Sequence, residues 1–209
     1  MDNKILLEKH KGSLWKLLRI YNTKGHLYKG PLLWAAIGLD VLFLIVANIG
    51  HLSGFNLIKT MTDLYITILP SLLGFNLGAY ALLIGLASSD LINKMSKSYE
   101  TKFTSFQRAS SVFGFCVLLQ AIALIIAFIF KLEVIVVESS AHHLPYVGEC
   151  WALIFNNLGL FILNLFGIYS ILILISVIGS IFAISQAAHF YAVTNHIKKS
   201  QENQDTNSP

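Results

Sequence analysis

Asp40 stands near the middle of an apolar run long enough to cross a bilayer. A carboxylate at that depth costs roughly 2.5–3.5 kcal/mol on insertion scales, and such groups mark ion paths, proton relays or buried hydrogen bonds. No Lys or Arg lies at a matching depth in another span. Asp40 therefore reads as a carboxyl that is protonated, hydrogen-bonded or turned to a wet cavity. Asn76, Tyr80, Gln120 and Asn164 are the candidate partners. A packing role and a gating or ion-path role both remain open. Asn156, Asn157 and Asn164 repeat the polar theme in the last apolar stretch, with Asn157 and Asn164 two turns apart on one face.

A second pattern is built from small residues. Ser71, Gly74, Gly78, Ala81, Gly85 and Ser88 recur at alternating steps of three and four. Small residues let helix backbones approach closely, within a monomer or between subunits. The same stripe repeated around an oligomer would instead form a pore wall with room for water. The reading joins Ser71, Gly74, Gly78, Ala81 and Gly85 with Asp40 and Asn76 as residues of a pore or helix interface.

Other chemistry is thin. No paired acids, nucleophile elbow, phosphate loop or zinc signature is present, so catalysis is not expected. His142 and His143 match no metal-ligand spacing, and neither a metal nor another cofactor is expected. Cys116 and Cys150 do not make a disulfide framework. The cluster Lys94, Lys97, Lys102 and Arg108 is interleaved with Tyr99, Phe103 and Phe106. Basic groups there would meet phosphates while the rings stack bases, which makes it a candidate ligand site. The plainer reading of the basic surplus is topology and attraction to anionic lipid.

The elements that must carry these residues follow from composition. Of 209 residues, 55% are hydrophobic and 12% are charged. Soluble domains carry about 25% charged residues, so this chain lacks the charge to coat a soluble globule. It is equally far from a disordered composition. A crossing takes about 20 helical residues, and four stretches supply them: about 31–52, 64–88, 111–137 and a long one over about 151–192. The last exceeds one crossing and reads as one helix or two.

Thirteen basic residues fall on one side of that layout: seven before residue 30, Lys94, Lys97, Lys102 and Arg108, and Lys198 and Lys199. Lys59 and Lys131 fall on the other side. The positive-inside rule then predicts both termini in the cytoplasm. Residues 1–30 read as a basic amphipathic segment, with Leu7, Leu14, Leu18 and Tyr21 at helical spacing. It would lie on the inner membrane surface or pack on the protein's own helices. Residues 31–197 read as the four-helix transmembrane domain, with a cytoplasmic hairpin over 89–110 and a disordered tail over 198–209. The first thirty residues do not read as a secretory signal.

The segment Leu69-Pro-Ser-Leu-Leu-Gly-Phe-Asn-Leu-Gly-Ala-Tyr-Ala-Leu-Leu, followed by Gly85 and Asp90, resembles one in small bacterial inner-membrane effectors of anti-phage defence, the Hailong-type channel effectors. The similarity covers about one span and the four-span layout. It implies a homo-oligomeric ion channel, anion-conducting, in the bacterial inner (plasma) membrane. Such a channel is held closed by an oligonucleotide made by a partner nucleotidyltransferase and opens during infection to depolarise the cell.

The sequence thus leads to an all-α integral membrane protein with four transmembrane helices, an N-terminal amphipathic helix and helical cytoplasmic extensions. Its partners would be the lipid bilayer and further copies of itself, since one four-helix unit can hardly enclose a pore. The leading function is a gated channel. A non-conducting scaffold or accessory subunit is the alternative. A proton-coupled transporter using Asp40 ranks last, because no internal inverted repeat is evident.

Overall fold

The computed structural model describes residues 13–24, 30–86, 104–139 and 149–205, and among them every regular element is helical. Helix α1 spans Leu14–Tyr21, α2 Pro31–Ile49, α3 Gly54–Leu86, α4 Ser105–Ser139, α5 Glu149–Leu172 and α6 Leu174–Asp205. Four stretches are long and apolar enough to cross a membrane: Pro31–Ile49, Gly54–Leu82, Phe106–Ser139 and the joined run Leu153–Thr194.

Local chemistry sets the boundaries. Pro31 occupies the first turn of α2, where its missing N–H would have had no partner. The helix ends in a Schellman turn, with Leu52 N–H bonded to Ala47 O at 3.1 Å and His51 N–H to Asn48 O at 3.1 Å. His51 takes the left-handed conformation there, at φ 50°, which glycine usually fills. This turn is tight enough that α3 begins at Gly54, ten residues before the start at 64 that hydropathy gives. Lys59 therefore lies in a helix and not in a connection. At the other end of the bundle, Thr104 and Gln107 form a reciprocal capping box before α4, with both bonds at 3.1 Å.

The last apolar stretch resolves into two helices joined at Ile173. The break is a single residue. Ile173 N–H still bonds Tyr169 O at 3.0 Å, and Val177 N–H bonds Ile173 O at 3.3 Å. Helix α6 runs on to Asp205, so residues 198–205, assigned to the tail from sequence, are helical.

Helix α5 packs against α2, α3 and α4, while α3 packs chiefly against α4. Two apolar clusters fill the interior. One, toward the Pro31 end, holds Tyr21, Phe113, Phe115, Leu119, Tyr169, Ile173 and Val177. The other, toward the 50–53 turn, holds Ile58, Tyr65, Leu69, Ala127, Leu160 and Leu163. Helix α1 docks on α4 at the first cluster. Tyr21 stacks on Phe115 at 4.1 Å, and Phe115 meets Tyr169 edge-on at 6.4 Å. Burial pushes the Tyr21 phenol up, so it stays neutral. Gly114 makes the approach possible, because a Cβ there would lie 2.4 Å from Leu17. Leu14 and Trp15 remain exposed on the other side of α1.

Candidate functional site

Between the two apolar clusters lies a polar layer. Asp40, Thr62, Asn76, Gln120 and Ser170 are fully buried and Asn164 is 1% exposed. Asn76 donates to Gln120 Oε1 at 2.9 Å and to Cys116 Sγ at 3.4 Å. Gln120 in turn approaches the carbonyl of Ser170 at 3.5 Å. A regular helix would pair that carbonyl with the amide of Leu174, so Gln120 meets α5 just where the ladder breaks at Ile173. The Ser170 hydroxyl turns back to Gly167 O at 2.7 Å. One turn further along, Tyr65 donates to Asn164 Oδ1 at 3.2 Å.

Asp40 belongs to this second level. Of the four partners proposed from sequence, Asn164 lies beside it. Tyr65 occupies the Asn164 oxygen, which leaves the amide N–H groups for Asp40. Neither Asp40 oxygen reaches hydrogen-bond geometry, and Thr62 Oγ1 and Asn76 Oδ1 are likewise unpaired among the described residues. Such a group contributes desolvation cost without a compensating bond. Asp40→Asn is therefore expected to fold with an unchanged or higher unfolding temperature in detergent. A loss of several degrees would show that the carboxyl makes a stabilising contact.

The small-residue stripe has a different setting. Ser71, Gly74, Gly78, Ala81 and Gly85 are all exposed, and a Cβ on Gly74, Gly78 or Gly85 would meet nothing within 4 Å. Among the described residues, then, nothing packs on the stripe inside the protomer. Asn76 lies on the opposite side of α3, in the core, and does not join the stripe. Ser88 lies outside the described residues.

The exposed face is longer than the sequence reading made it. Continuing the steps of three and four back from Ser71 reaches Thr67, Asp63, Thr60 and Asn56, all exposed. At about 100° per residue these nine positions fall within an arc of about 80°. Of these four, Asp63, Thr60 and Asn56 precede the start at 64 that hydropathy gives. The Thr60 and Thr67 hydroxyls bond carbonyls one turn back, at 2.9 and 2.8 Å. Asp63 pairs with Lys131 at 2.6 Å, and Lys59 with Glu138 at 2.5 Å, both across the α3–α4 seam.

The contrast with neighbouring surface is sharp. Beside the stripe α3 exposes Leu64, Phe75 and Leu82 on one flank and Leu77 and Ile84 on the other. The exposed surface of α2 includes Leu42, Ile45, Val46 and Ile49, and that of α4 Ile125, Phe128, Ile129 and Ile135. Exposed apolar area of this extent belongs in lipid, and a lipid-facing stripe would be apolar too.

The remaining sequence candidates separate. Lys94, Lys97 and Lys102 lie outside the described residues, as do His142 and His143. Arg108 sits in the first turn of α4, half-buried, and its carbonyl accepts from Ser111 at 2.7 Å. Among the described residues no group of His, Cys, Asp or Glu gathers as a metal site.

Four apolar spanning helices and this lipid-compatible exterior define a multi-pass α-helical membrane protein. No family model, curated protein or solved structure matches the chain.

Proposed function

We propose that the protein is a homo-oligomeric gated ion channel whose conduction path is walled by the exposed polar face of α3. The observation that carries this reading is the run from Asn56 to Gly85. All nine positions of this face are exposed and polar or small, over a length that apolar helices elsewhere place in lipid. Ions need a wet wall, and backbone left bare by glycine is tolerated in a membrane only where it meets protein or water. The protomer core is filled by Leu69, Phe113, Leu160 and Ile173. Water along α3 therefore requires several copies to enclose it.

The positive-inside rule supports a cytoplasmic location for both termini, and the basic mouth this creates favours anions. With the resemblance of residues 69–83, this makes the protein an inner-membrane effector of bacterial anti-phage defence rather than an enzyme. It would depolarise the cell under control of a nucleotide-type ligand bound near Lys94, Lys97, Lys102 and Arg108.

The test is single-channel recording of the purified oligomer in planar bilayers under asymmetric salt, with and without added oligonucleotides. Discrete conductance closed by an oligonucleotide supports the whole reading. Silence from a folded oligomer under every condition overturns it in favour of a scaffold that docks a partner on α3.

A further inference from the structure

The ion pair between Asp63 and Lys131 is out of place for a lipid-facing surface. Asp63 lies about 14 Å along the helix axis from Gly54, at roughly 1.5 Å per residue. Exposed apolar residues of α2 and α5, among them Ile49, Leu153 and Ile154, occupy the same end of the bundle. The pair therefore sits at membrane depth. Even so, the Asp63 side chain is 50% exposed and that of Lys131 32% exposed. Two half-exposed charges in hydrocarbon would be costly, whereas facing water they are ordinary.

Azimuth points the same way. Asp63 is one of the nine positions on the polar face of α3, between Thr60 and Thr67. Lys131 comes from α4 and reaches that face through the 2.6 Å contact. Glu138, two turns from Lys131 on α4, meets Lys59 nearer the 50–53 turn, so the second pair caps the same seam with reversed polarity.

We propose that Lys131, by pairing with Asp63, cancels what would otherwise be a cation-selecting ring in the conduction path and so leaves the path open to anions. This rests on the pore reading above. Repeated around an oligomer, unpaired Asp63 would form a ring of carboxylates, which attracts cations and rejects anions. With Lys131 bound to each, the wall carries no net charge at that level. The basic mouth at the Pro31 end then decides the sign of the ion. Lys131 is thus a specificity-determining residue although it lies on a helix that does not itself line the path.

The experiment measures reversal potential across a KCl gradient for the full-length oligomer and three variants: Lys131→Gln, Asp63→Asn and the exchange Asp63→Lys with Lys131→Asp. Wild type and Asp63→Asn are expected to reverse on the chloride side. Lys131→Gln is expected to cross to the potassium side, and the exchange to return to chloride. Higher salt should shrink the Lys131→Gln shift, because screening shortens the reach of the carboxylate ring.

Conducting Lys131→Gln channels with a wild-type reversal potential overturn the proposal and leave the pore reading standing. A silent wild type overturns both. Where Lys131→Gln fails to assemble by size-exclusion chromatography, Asp63→Asn with Lys131→Glu decides. Its reversal on the potassium side supports the proposal, and a wild-type reversal on the chloride side overturns it.

Discussion

Gly78→Leu is expected to give a folded protomer that conducts no current. Gly78 is exposed, and a Cβ there meets no atom within 4 Å, so the protomer has room for the added side chain. Its helix should even gain slightly, since glycine is about 1 kcal/mol worse than alanine in a helix interior. The cost falls where copies meet or where ions pass. A leucine from each copy at one level of the wall would fill a narrow lumen or hold neighbouring helices apart. The measurement pairs single-channel recording with size-exclusion chromatography and thermal unfolding. Wild-type conductance from an oligomer of wild-type size would remove α3 from the conduction path.

Gly167→Ala should do the reverse: it should weaken the protomer itself. A Cβ on Gly167 would lie 2.3–2.7 Å from three ring atoms of Tyr65. That ring is buried and its hydroxyl is tied to Asn164 at 3.2 Å, so it has little freedom to swing away. Overpacking of this kind costs about 1–3 kcal/mol, and here it outweighs the helix propensity gained. For a chain of this length a loss of about 2 kcal/mol lowers the unfolding temperature by roughly 4–8 °C. Gly78→Ala is the matched control and should leave that temperature unchanged or raise it. Equal unfolding temperatures for the two alanine variants would show that the Tyr65–Gly167 contact is slack.

Each of these two glycines lies within an apolar run, and although the stripe marks Gly78, nothing local says whether a neighbouring helix covers either one. Their opposite expected behaviour shows where reading residues in order stops being enough. Four spans could be read directly, because spanning length and scarcity of charge are properties of each segment by itself. The small-residue stripe could be read for a similar reason, since a step of three and four is a property of one helix. Its continuation through Thr67, Asp63, Thr60 and Asn56 was equally present in the spacing. Hydropathy alone hides most of it, because Asp63, Thr60 and Asn56 are polar and place the apparent start of the span at 64.

What a neighbouring helix does to a face is another matter. Asn76 lies between Gly74 and Gly78, yet it is buried against Gln120 and Cys116 while both glycines are bare. Spacing puts Asn76 on the far side of α3, but only packing against α4 makes that side the core. In the same way the sequence placed Asp40 at mid-membrane depth, and the docking of α2 on α5 set Asn164 beside it without a hydrogen bond. The Asp63–Lys131 pair joins residues 68 apart in sequence. No periodicity within one segment could have matched them.

The sequence by itself determined an all-helical chain with four membrane-spanning stretches and one face of small residues, because these follow from length, hydropathy and helical pitch. Tertiary structure alone decided that no described residue covers this face, that Asp40 and Asn76 are sealed inside, and that Lys131 reaches Asp63. Each of those depends on which side of a helix its neighbours cover, and that is settled by side-chain packing between segments far apart in the chain.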